Sequence, residues 1–105
     1  MNAKPLISVG IPTYNRPKAL ENVIQNILNQ TYINIEIIIS DNNSENSDVD
    51  LVCEKYKSID SRIRYFKQQE NIGMYDNFKF VLEKANGDYF MWASDDDVFY
   101  DNFIE

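Results

Sequence analysis

Hydrophobic and polar positions along the chain follow two patterns, one typical of buried strands and the other of amphipathic helices. Short runs rich in β-branched residues predict strands over 6–12, 35–40, 62–67 and 88–94, and helical spacing predicts helices beginning near Pro17, Ser47 and Met74. Parallel strands joined by helices require right-handed crossovers. The pattern therefore predicts an α/β fold, a Rossmann-like parallel sheet of about four strands with helices on both faces.

Three local expectations accompany this fold. Asn86-Gly87 follows the third helix and predicts a left-handed helix ending. The aromatic residues of the last strand, Tyr89, Phe90 and Trp92, are expected to pack in the core. Cys53 is the single cysteine, so it excludes an internal disulfide and is expected to be a small core residue.

The loops that follow the strands are the places to look for a binding site, because open parallel sheets bind ligands beyond the carboxyl ends of their strands. All four loops are polar. They read Pro12-Thr13-Tyr14-Asn15, Asp41-Asn42-Asn43-Ser44, Asn71-Ile72-Gly73 and Asp95-Asp96-Asp97. Neither a glycine-rich phosphate loop with lysine nor a Gly-x-Gly-x-x-Gly turn follows the first strand, which argues against a P-loop NTPase or a dinucleotide enzyme.

Composition narrows the chemistry further. The chain of 105 residues is 44% hydrophobic, which suits one globular domain. It contains no histidine, so a Ser-His-Asp triad, a Cys-His pair and an imidazole zinc site are excluded within it. No apolar run approaches the length of a membrane span and no secretory leader is recognisable, so a cytoplasmic location is expected.

The formal net charge of -7 comes mostly from the end of the chain, where residues 88–105 hold six acids and no lysine or arginine. This balance disfavours nucleic acid as a partner. Adjacent carboxylates repel by up to ~4 kcal/mol per close pair at an effective dielectric near 20, and a divalent cation would relieve the repulsion. Oxygen ligands suit Mg²⁺ or Mn²⁺. The alternative is a solvated acidic turn at the start of a helix.

Individual loop residues allow both a functional and a structural interpretation. Tyr14 could stack on a base or be a half-buried loop aromatic, and Asp41 or Asn42 could accept from a ring N–H or serve only the turn. Gly73 could allow a ligand to approach closely or could simply start a helix.

Six motifs occur together in a specific order. They are residues 7–15 (ISVGIPTYN), 28–32 (LNQTY), 39–44 (ISDNNS), 71–73 (NIG), 86–89 (NGDY) and 94–97 (SDDD). Together they resemble the nucleotide-sugar-binding half of a family 2 glycosyltransferase of the GT-A fold. The resemblance covers nearly the whole chain and implies transfer of a sugar, with inversion, from a nucleotide-diphosphate sugar to an acceptor hydroxyl, as in polysaccharide or glycoconjugate synthesis.

The resemblance also implies roles for particular residues. UDP- or dTDP-linked sugars are the expected donors, Pro12 and Tyr14 would hold the base, and Asp41 or Asn42 would bind its edge. The expected nucleotide-binding set is Pro12, Tyr14, Asn15, Asp41, Asn42, Gly73, Asn77 and Asp95. Asp96 and Asp97, in a DXD-like motif, would bind Mg²⁺ or Mn²⁺ on the diphosphate.

The chain departs from the family pattern at two positions. Ser94 stands where many relatives have the first acid of DXD. Phe78 stands where relatives often have a phosphate-binding arginine, for which Asn77 or Lys79 could substitute. The aspartates that ligate the metal are therefore left open, although Asp96 aligns best.

The acceptor-binding half of such enzymes, including the general base, is expected beyond Glu105. Residues 1–105 are accordingly predicted to be a single truncated domain that binds nucleotide without transferring sugar. The acceptor, a sugar or glycolipid, would be bound by the missing half, and self-association of the truncated chain is conceivable through a bare edge strand. The full enzyme could associate with a membrane.

Two other classes of protein compete with this interpretation. One is a non-catalytic nucleotide- or partner-binding module, which the chain beyond residue 105 would distinguish. The other is a phospho-acceptor receiver domain, but such domains place their acidic pair after the first strand, where this chain has Pro12 to Asn15.

Overall fold

The predicted strands form one parallel sheet in the computed structural model, which describes residues 4–94 and residue 104. The strands are β1 (Ile7–Thr13), β2 (Ile35–Asp41), β3 (Ile63–Lys67) and β4 (Tyr89–Trp92). The helices are α1 (Pro17–Leu28), α2 (Asp48–Ile59) and α3 (Met74–Glu83). The strand order is β3-β2-β1-β4, and every neighbouring pair is parallel. The predicted fold class is confirmed.

Helices cover both faces of the sheet. Alternate residues of a strand point to opposite faces. Val9 and Ile37 belong to the core formed with α1 and α2, whereas Gly10 packs against α3 on the other face. A Cβ atom on Gly10 would lie 2.7 Å from a side-chain atom of Val81 in α3 and 2.7 Å from one of Phe90. Glycine at this position therefore lets α3 pack closely against β1.

The helix α1 illustrates how the sequence pattern produces burial. Pro17 occupies its first position, where the missing N–H costs nothing. Its apolar face is fully buried, and the residues are Leu20, Val23, Ile24 and Ile27. Each such side chain contributes roughly 1.5–3 kcal/mol by leaving water. No helix in residues 4–94 is long and apolar enough to cross a membrane.

The amino end of the sheet is closed by a buried carboxylate. Glu36 is 8% exposed and accepts hydrogen bonds from the Ser8 hydroxyl at 2.6 Å and the Asn86 backbone N–H at 2.5 Å. Arg64 donates to its other oxygen at 3.1 Å. Burial raises the pKa of Glu36, but these hydrogen bonds and the Arg64 charge together outweigh it and hold the pKa below its usual value. Glu36 thus joins β1, β3 and the α3–β4 connection.

The predicted left-handed ending at Asn86-Gly87 is wrong. Neither residue has a positive φ. Gly87 is needed for space instead, since a Cβ atom there would lie 2.5 Å from the Ser8 Oγ and 2.7 Å from the Leu6 carbonyl oxygen. The Gly87 N–H also donates to the Ser8 hydroxyl at 2.8 Å. The glycine therefore brings the chain close to the start of β1.

The aromatic residues of β4 do not all enter the core. Tyr89 is 64% exposed and Trp92 is 47% exposed, while Phe90 is half-buried and packs edge-to-face on Trp92. The prediction failed because β4 lies at an edge of the described sheet, where one side of the strand has no neighbour. Side chains on such a strand lack the flanking residues that would cover them.

Cys53 is a core residue, as predicted. It is a residue of α2 and is fully buried in the core cluster to which α1 and α2 contribute. Burial, with smaller contributions from the nearby carboxylates of Asp41 and Asp50, raises the pKa of the thiol to about 12. A thiol that stays protonated in this way is a small apolar side chain and not a nucleophile.

Candidate functional site

A cavity of about 430 Å³ opens at the carboxyl end of the sheet. The residues that line it come from the ends of β1 and β2, the start of α3 and the chain just after β4. They are Pro12, Thr13, Tyr14, Arg16, Asn42, Asn71, Met74, Asn77, Phe78 and Ser94. In the sheet, β1 has β2 on one side and β4 on the other. The chain runs from β1 to β2 and β3 on the first side and then returns to the second side for β4, so the cavity lies where the strand order reverses.

The turn between β1 and α1 forms one wall of the cavity. Pro12 and Thr13 are buried, while Tyr14 is 39% exposed. Asn15 has φ 55°, a left-handed conformation that asparagine tolerates, and this turns the chain into α1. Tyr14 is therefore held at the cavity with its ring accessible.

Asn15 joins this turn to the loop after β2. Its side-chain oxygen accepts from the backbone N–H groups of Glu45 and Asn46, at 2.8 and 3.1 Å. Its own N–H donates to the Ser44 hydroxyl at 2.7 Å. Asn15 was predicted to bind nucleotide, and it does not line the cavity in the part of the chain described. Its contacts instead set the position of the two loops that border it.

Asp41, at the end of β2, is fully buried, and within residues 4–94 and 104 only one of its two carboxylate oxygens has a hydrogen-bond partner. Its Oδ1 accepts from the Ser44 N–H at 3.1 Å and from the Ser44 hydroxyl at 2.5 Å. Its Oδ2 is buried and has no hydrogen-bond partner among the described residues. Asp41 itself does not line the cavity within the described chain, although Thr13, its partner in the sheet register, and Asn42, its neighbour in sequence, both do. Buried carboxylate oxygens are rarely left unpaired, so this acceptor is suited to a ligand donor.

Asn42 is fully engaged in holding the loop before α3. Its side-chain oxygen accepts from the Ile72 N–H at 2.8 Å, and its amide nitrogen donates to the Asn71 side-chain oxygen at 3.1 Å. The same Asn71 oxygen accepts from the Gly73 N–H at 2.8 Å. Of the two residues considered for a base edge, Asp41 therefore has the available acceptor, and Asn42 shapes the cavity wall.

Gly73 precedes the first residue of α3 and has φ 87°. A Cβ atom at this position would meet no other atom within 4 Å, so backbone conformation, not space, favours glycine. Gly73 does not line the cavity within the described chain, although Asn71 and Met74 on either side of it do. These facts agree with the interpretation of Gly73 as a helix-start residue.

Asn77 lines the cavity, yet its side chain is directed to β2. It is 3% exposed, its oxygen accepts from the Ser40 hydroxyl at 2.6 Å, and its nitrogen donates to the Ser40 carbonyl at 3.1 Å. Gln68 donates to the same hydroxyl at 3.0 Å. Asn77 thus fastens the first turn of α3 to the sheet, and both ends of its amide are occupied.

The predicted residues Asp95, Asp96 and Asp97 lie outside the described residues. Ser94, which directly precedes them in the chain, lines the cavity. Across residues 4–94 and 104, no three acidic or thiol side chains come together to hold a metal ion.

Arg16 is a cavity residue that sequence reasoning missed. It precedes the first residue of α1 and is exposed. The available indication was its place in the same loop as Tyr14 and Asn15.

The chain matches a known family over nearly all of its length. Residues 8–105 fit the sequence profile described as Glycosyl transferase family 2. The chain belongs to glycosyltransferase family 2. The resemblance inferred from the six motifs is confirmed.

Among the relatives of this glycosyltransferase family 2 domain is a Campylobacter jejuni GalNAc(5)-diNAcBac-PP-undecaprenol beta-1,3-glucosyltransferase. It is 38% identical over 94 residues, which cover 89% of this chain and 30% of the relative. The chain spans between 14% and 41% of the length of the curated relatives compared.

Solved structures share the fold. The mannosyltransferase PcManGT from Pyrobaculum calidifontis, in complex with GDP-Man and Mn²⁺, superposes with a TM-score of 0.83 at 20% identity, over 92% of this chain and 29% of that one. S. aureus TarS 1-349 in complex with UDP also gives 0.83, at 22% identity, over 93% and 29%. The family 2 domain therefore has the GT-A fold.

Proposed function

We propose that this domain binds the nucleotide-diphosphate sugar of an inverting glycosyltransferase that transfers a sugar to an acceptor hydroxyl in polysaccharide or glycoconjugate synthesis. The observation that carries the proposal is the buried Oδ2 of Asp41, which has no hydrogen-bond partner among the described residues and lies next in sequence to Asn42 of the cavity lining. Membership of family 2 and the GT-A fold support it.

The base would bind between the β1–α1 turn and the end of β2. The exposed ring of Tyr14 offers a stacking surface beside Pro12. Asp41 would accept a hydrogen bond from a ring N–H, which uracil and thymine carry at the edge of the base. UDP- or dTDP-linked donors fit this acceptor, and the similar TarS structure holds UDP.

The diphosphate would be bound through a divalent cation. Asp96 and Asp97 would hold Mg²⁺ or Mn²⁺, and Asp95 would contact the ribose. An oxygen-only donor set fits these ions, and the similar PcManGT structure holds Mn²⁺. Such an ion, when bound, supplies positive charge that stabilises the leaving diphosphate. Asn42 and Asn77 would keep the cavity wall in place around it.

The general base and the acceptor site would belong to a part of the enzyme outside residues 1–105. The described residues offer no carboxylate lining the cavity that could deprotonate an incoming hydroxyl. The relatives are longer than this chain, which supports the same assignment. We therefore expect residues 1–105 alone to bind nucleotide and to transfer no sugar.

The test is calorimetric titration of the 105-residue chain with UDP and dTDP, with and without Mn²⁺. Binding is expected to require Mn²⁺ and to be strongly weakened by Asp96→Ala. Absence of heat at millimolar nucleotide, or equal binding by Asp96→Ala, would reject the metal-dependent donor site.

Self-association of this chain would proceed through β4. No residue of Tyr89–Trp92 is charged, and two of its aromatic side chains are exposed. Charged side chains normally protect an edge strand, as Arg64 and Lys67 do in β3. Sedimentation equilibrium is expected to show dimers that Met91→Lys abolishes. A monomer at all concentrations would contradict this proposal.

A further inference from the structure

Tyr14 lies on a short segment that is hydrogen-bonded to the end of β2 on both sides. Before it, the Thr13 carbonyl accepts from the Asn42 N–H at 2.9 Å. After it, the Asn15 N–H donates to the Ser44 hydroxyl at 2.7 Å. The accessible ring of Tyr14 is therefore carried by backbone whose position depends on these two bonds.

The Ser44 hydroxyl makes two hydrogen bonds of opposite direction. It accepts from the Asn15 N–H and donates to Oδ1 of Asp41 at 2.5 Å. A hydroxyl has one proton, and a backbone N–H can only donate, so the direction of both bonds is fixed. Ser44 is 9% exposed and Asp41 is fully buried, so water competes little for these bonds. One side chain thus connects the turn that carries Tyr14 to the carboxylate at the end of β2.

The same residue orients the Asp41 carboxylate. Oδ1 receives both the N–H of Ser44, at 3.1 Å, and its hydroxyl, at 2.5 Å. Two donors on one oxygen fix the plane of the carboxylate, and Oδ2 is the oxygen without a partner among the described residues. Without the hydroxyl, only the more distant N–H of Ser44 would hold the group. An acceptor that is held in place before a ligand arrives loses less conformational freedom on binding.

We infer that Ser44 is a positioning residue for base selection, because it sets the Tyr14 ring and the Oδ2 acceptor of Asp41 in a fixed relation to each other. The inference rests on the proposed function, since it assumes that a base binds between these two groups. Ser44 does not line the cavity within the described chain, so it would act through Asn15 and Asp41 and not by touching the base. A base with a ring N–H would be selected only while Oδ2 is held in the plane of the stacked ring.

The experiment measures the affinities of the 105-residue chain for UDP and CDP, by calorimetry with Mn²⁺, for wild type, Ser44→Thr, Ser44→Val and Ser47→Val. The two nucleotides share ribose and diphosphate, but uracil has an N–H at ring position 3 where cytosine has an acceptor nitrogen. Threonine and valine have nearly the same shape and differ in the hydroxyl. Ser47 is exposed in the same loop and makes no side-chain capping bond, so it is the matched control. A smaller folded fraction lowers both affinities equally, so the ratio of UDP to CDP affinity reports on base selection and not on stability.

Ser44→Val is expected to reduce the preference for UDP over CDP about tenfold, the size of one hydrogen bond, whereas Ser44→Thr and Ser47→Val should keep the wild-type preference. Thermal unfolding checks the fold of each variant, and Ser44→Ala replaces Ser44→Val if the added methyl groups prevent folding. If the variant without the hydroxyl keeps the wild-type preference, the hydroxyl serves only the turn, and the inference is overturned while the proposed function stands. If wild type binds UDP and CDP equally, the inference is also overturned. If wild type binds neither nucleotide, the proposed function fails and the inference with it.

Discussion

Two buried carboxylates, Glu36 and Asp41, lie at opposite ends of β2 and differ in how completely their oxygens are hydrogen-bonded. Glu36, near the amino end, has both oxygens occupied by hydrogen bonds from Ser8, Asn86 and Arg64. Asp41, at the carboxyl end, has one oxygen occupied by Ser44 and the other without a partner in the described chain. Since folding alone would favour satisfying both, the incomplete carboxylate lies at the end of the sheet where we propose that a ligand binds.

The loops explain the difference between the two ends. At the amino end, Gly87 allows the chain to approach β1 and brings the Asn86 N–H onto Glu36. At the carboxyl end, the polar loops hydrogen-bond one another through Asn15 and Asn42, which leaves a cavity between them. One end is thus closed by the chain itself and the other is left open.

The largest effect is expected at the closed end. Glu36→Ala should lower the free energy of unfolding by about 3 kcal/mol, because it leaves a hydroxyl, an N–H and a guanidinium without their acceptor. Urea denaturation measures this. Glu83→Ala, an exposed position in α3, is the control and should change stability little. If both substitutions lower the free energy of unfolding equally, the buried hydrogen bonds of Glu36 add no special stability.

Asp41→Asn should change ligand affinity and not stability, in contrast to Glu36→Ala. Affinity for uridine is expected to fall about tenfold to a hundredfold, because a donor replaces the acceptor for the ring N–H. Stability should be little changed, since a neutral amide group of the same size replaces a buried carboxyl group. Calorimetry measures the uridine affinity of this variant, and urea denaturation measures its free energy of unfolding. Unchanged uridine affinity with a loss of stability would make Asp41 a structural residue like Glu36.

Acid should reduce the contribution that Glu36, at the amino end of the sheet, makes to the free energy of unfolding. The pKa of Glu36 is lowered in the folded state from an ordinary value near 4.5, so its stabilisation is present above that value and is lost as pH falls through the folded pKa. Wild type should therefore lose its advantage over Glu36→Gln as the pH falls below the ordinary value of 4.5. Urea denaturation above and below this pH measures the advantage. A constant difference would show that ionisation of Glu36 contributes nothing.

The smallest effect is expected at Tyr14. Tyr14→Ala should weaken uridine binding severalfold, through loss of about 1 kcal/mol of stacking, with little change in stability. Tyr75→Ala, at a 79% exposed position in α3, is the control and should leave binding unchanged. If the two variants bind uridine equally, Tyr14 does not form the base platform.

Much of the fold and part of the site could be predicted from the sequence. The β-branched run of β2 and the apolar spacing of α1 predict those elements because their local pattern and their burial agree. The prediction failed at Tyr89 and Trp92, because exposure on an edge strand depends on which strands are neighbours. It failed at Gly87 because a glycine can serve close approach as well as a left-handed turn.

At the site, residue types could be predicted but their division of labour could not. Asp41 and Asn42 were equivalent candidates until hydrogen bonding showed that the Asn42 amide is used by the Asn71–Gly73 loop. Asn77 and Lys79 were both candidates for a phosphate contact, but the Asn77 amide is bound to Ser40 and Lys79 lies outside the described lining of the cavity. Such differences depend on contacts between residues that are distant in sequence.

The sequence by itself determined the order of elements, the parallel sheet and the family, because hydrophobic period and motif spacing are local properties written along the chain. Only the tertiary structure decided which polar groups are consumed in building the fold and which are left over. The hydrogen bonds from Ser40 to Asn77 and from Asn86 to Glu36 join residues 37 and 50 positions apart. The lack of such a bond at one oxygen of Asp41, within the described chain, becomes visible only when the chain has folded around it.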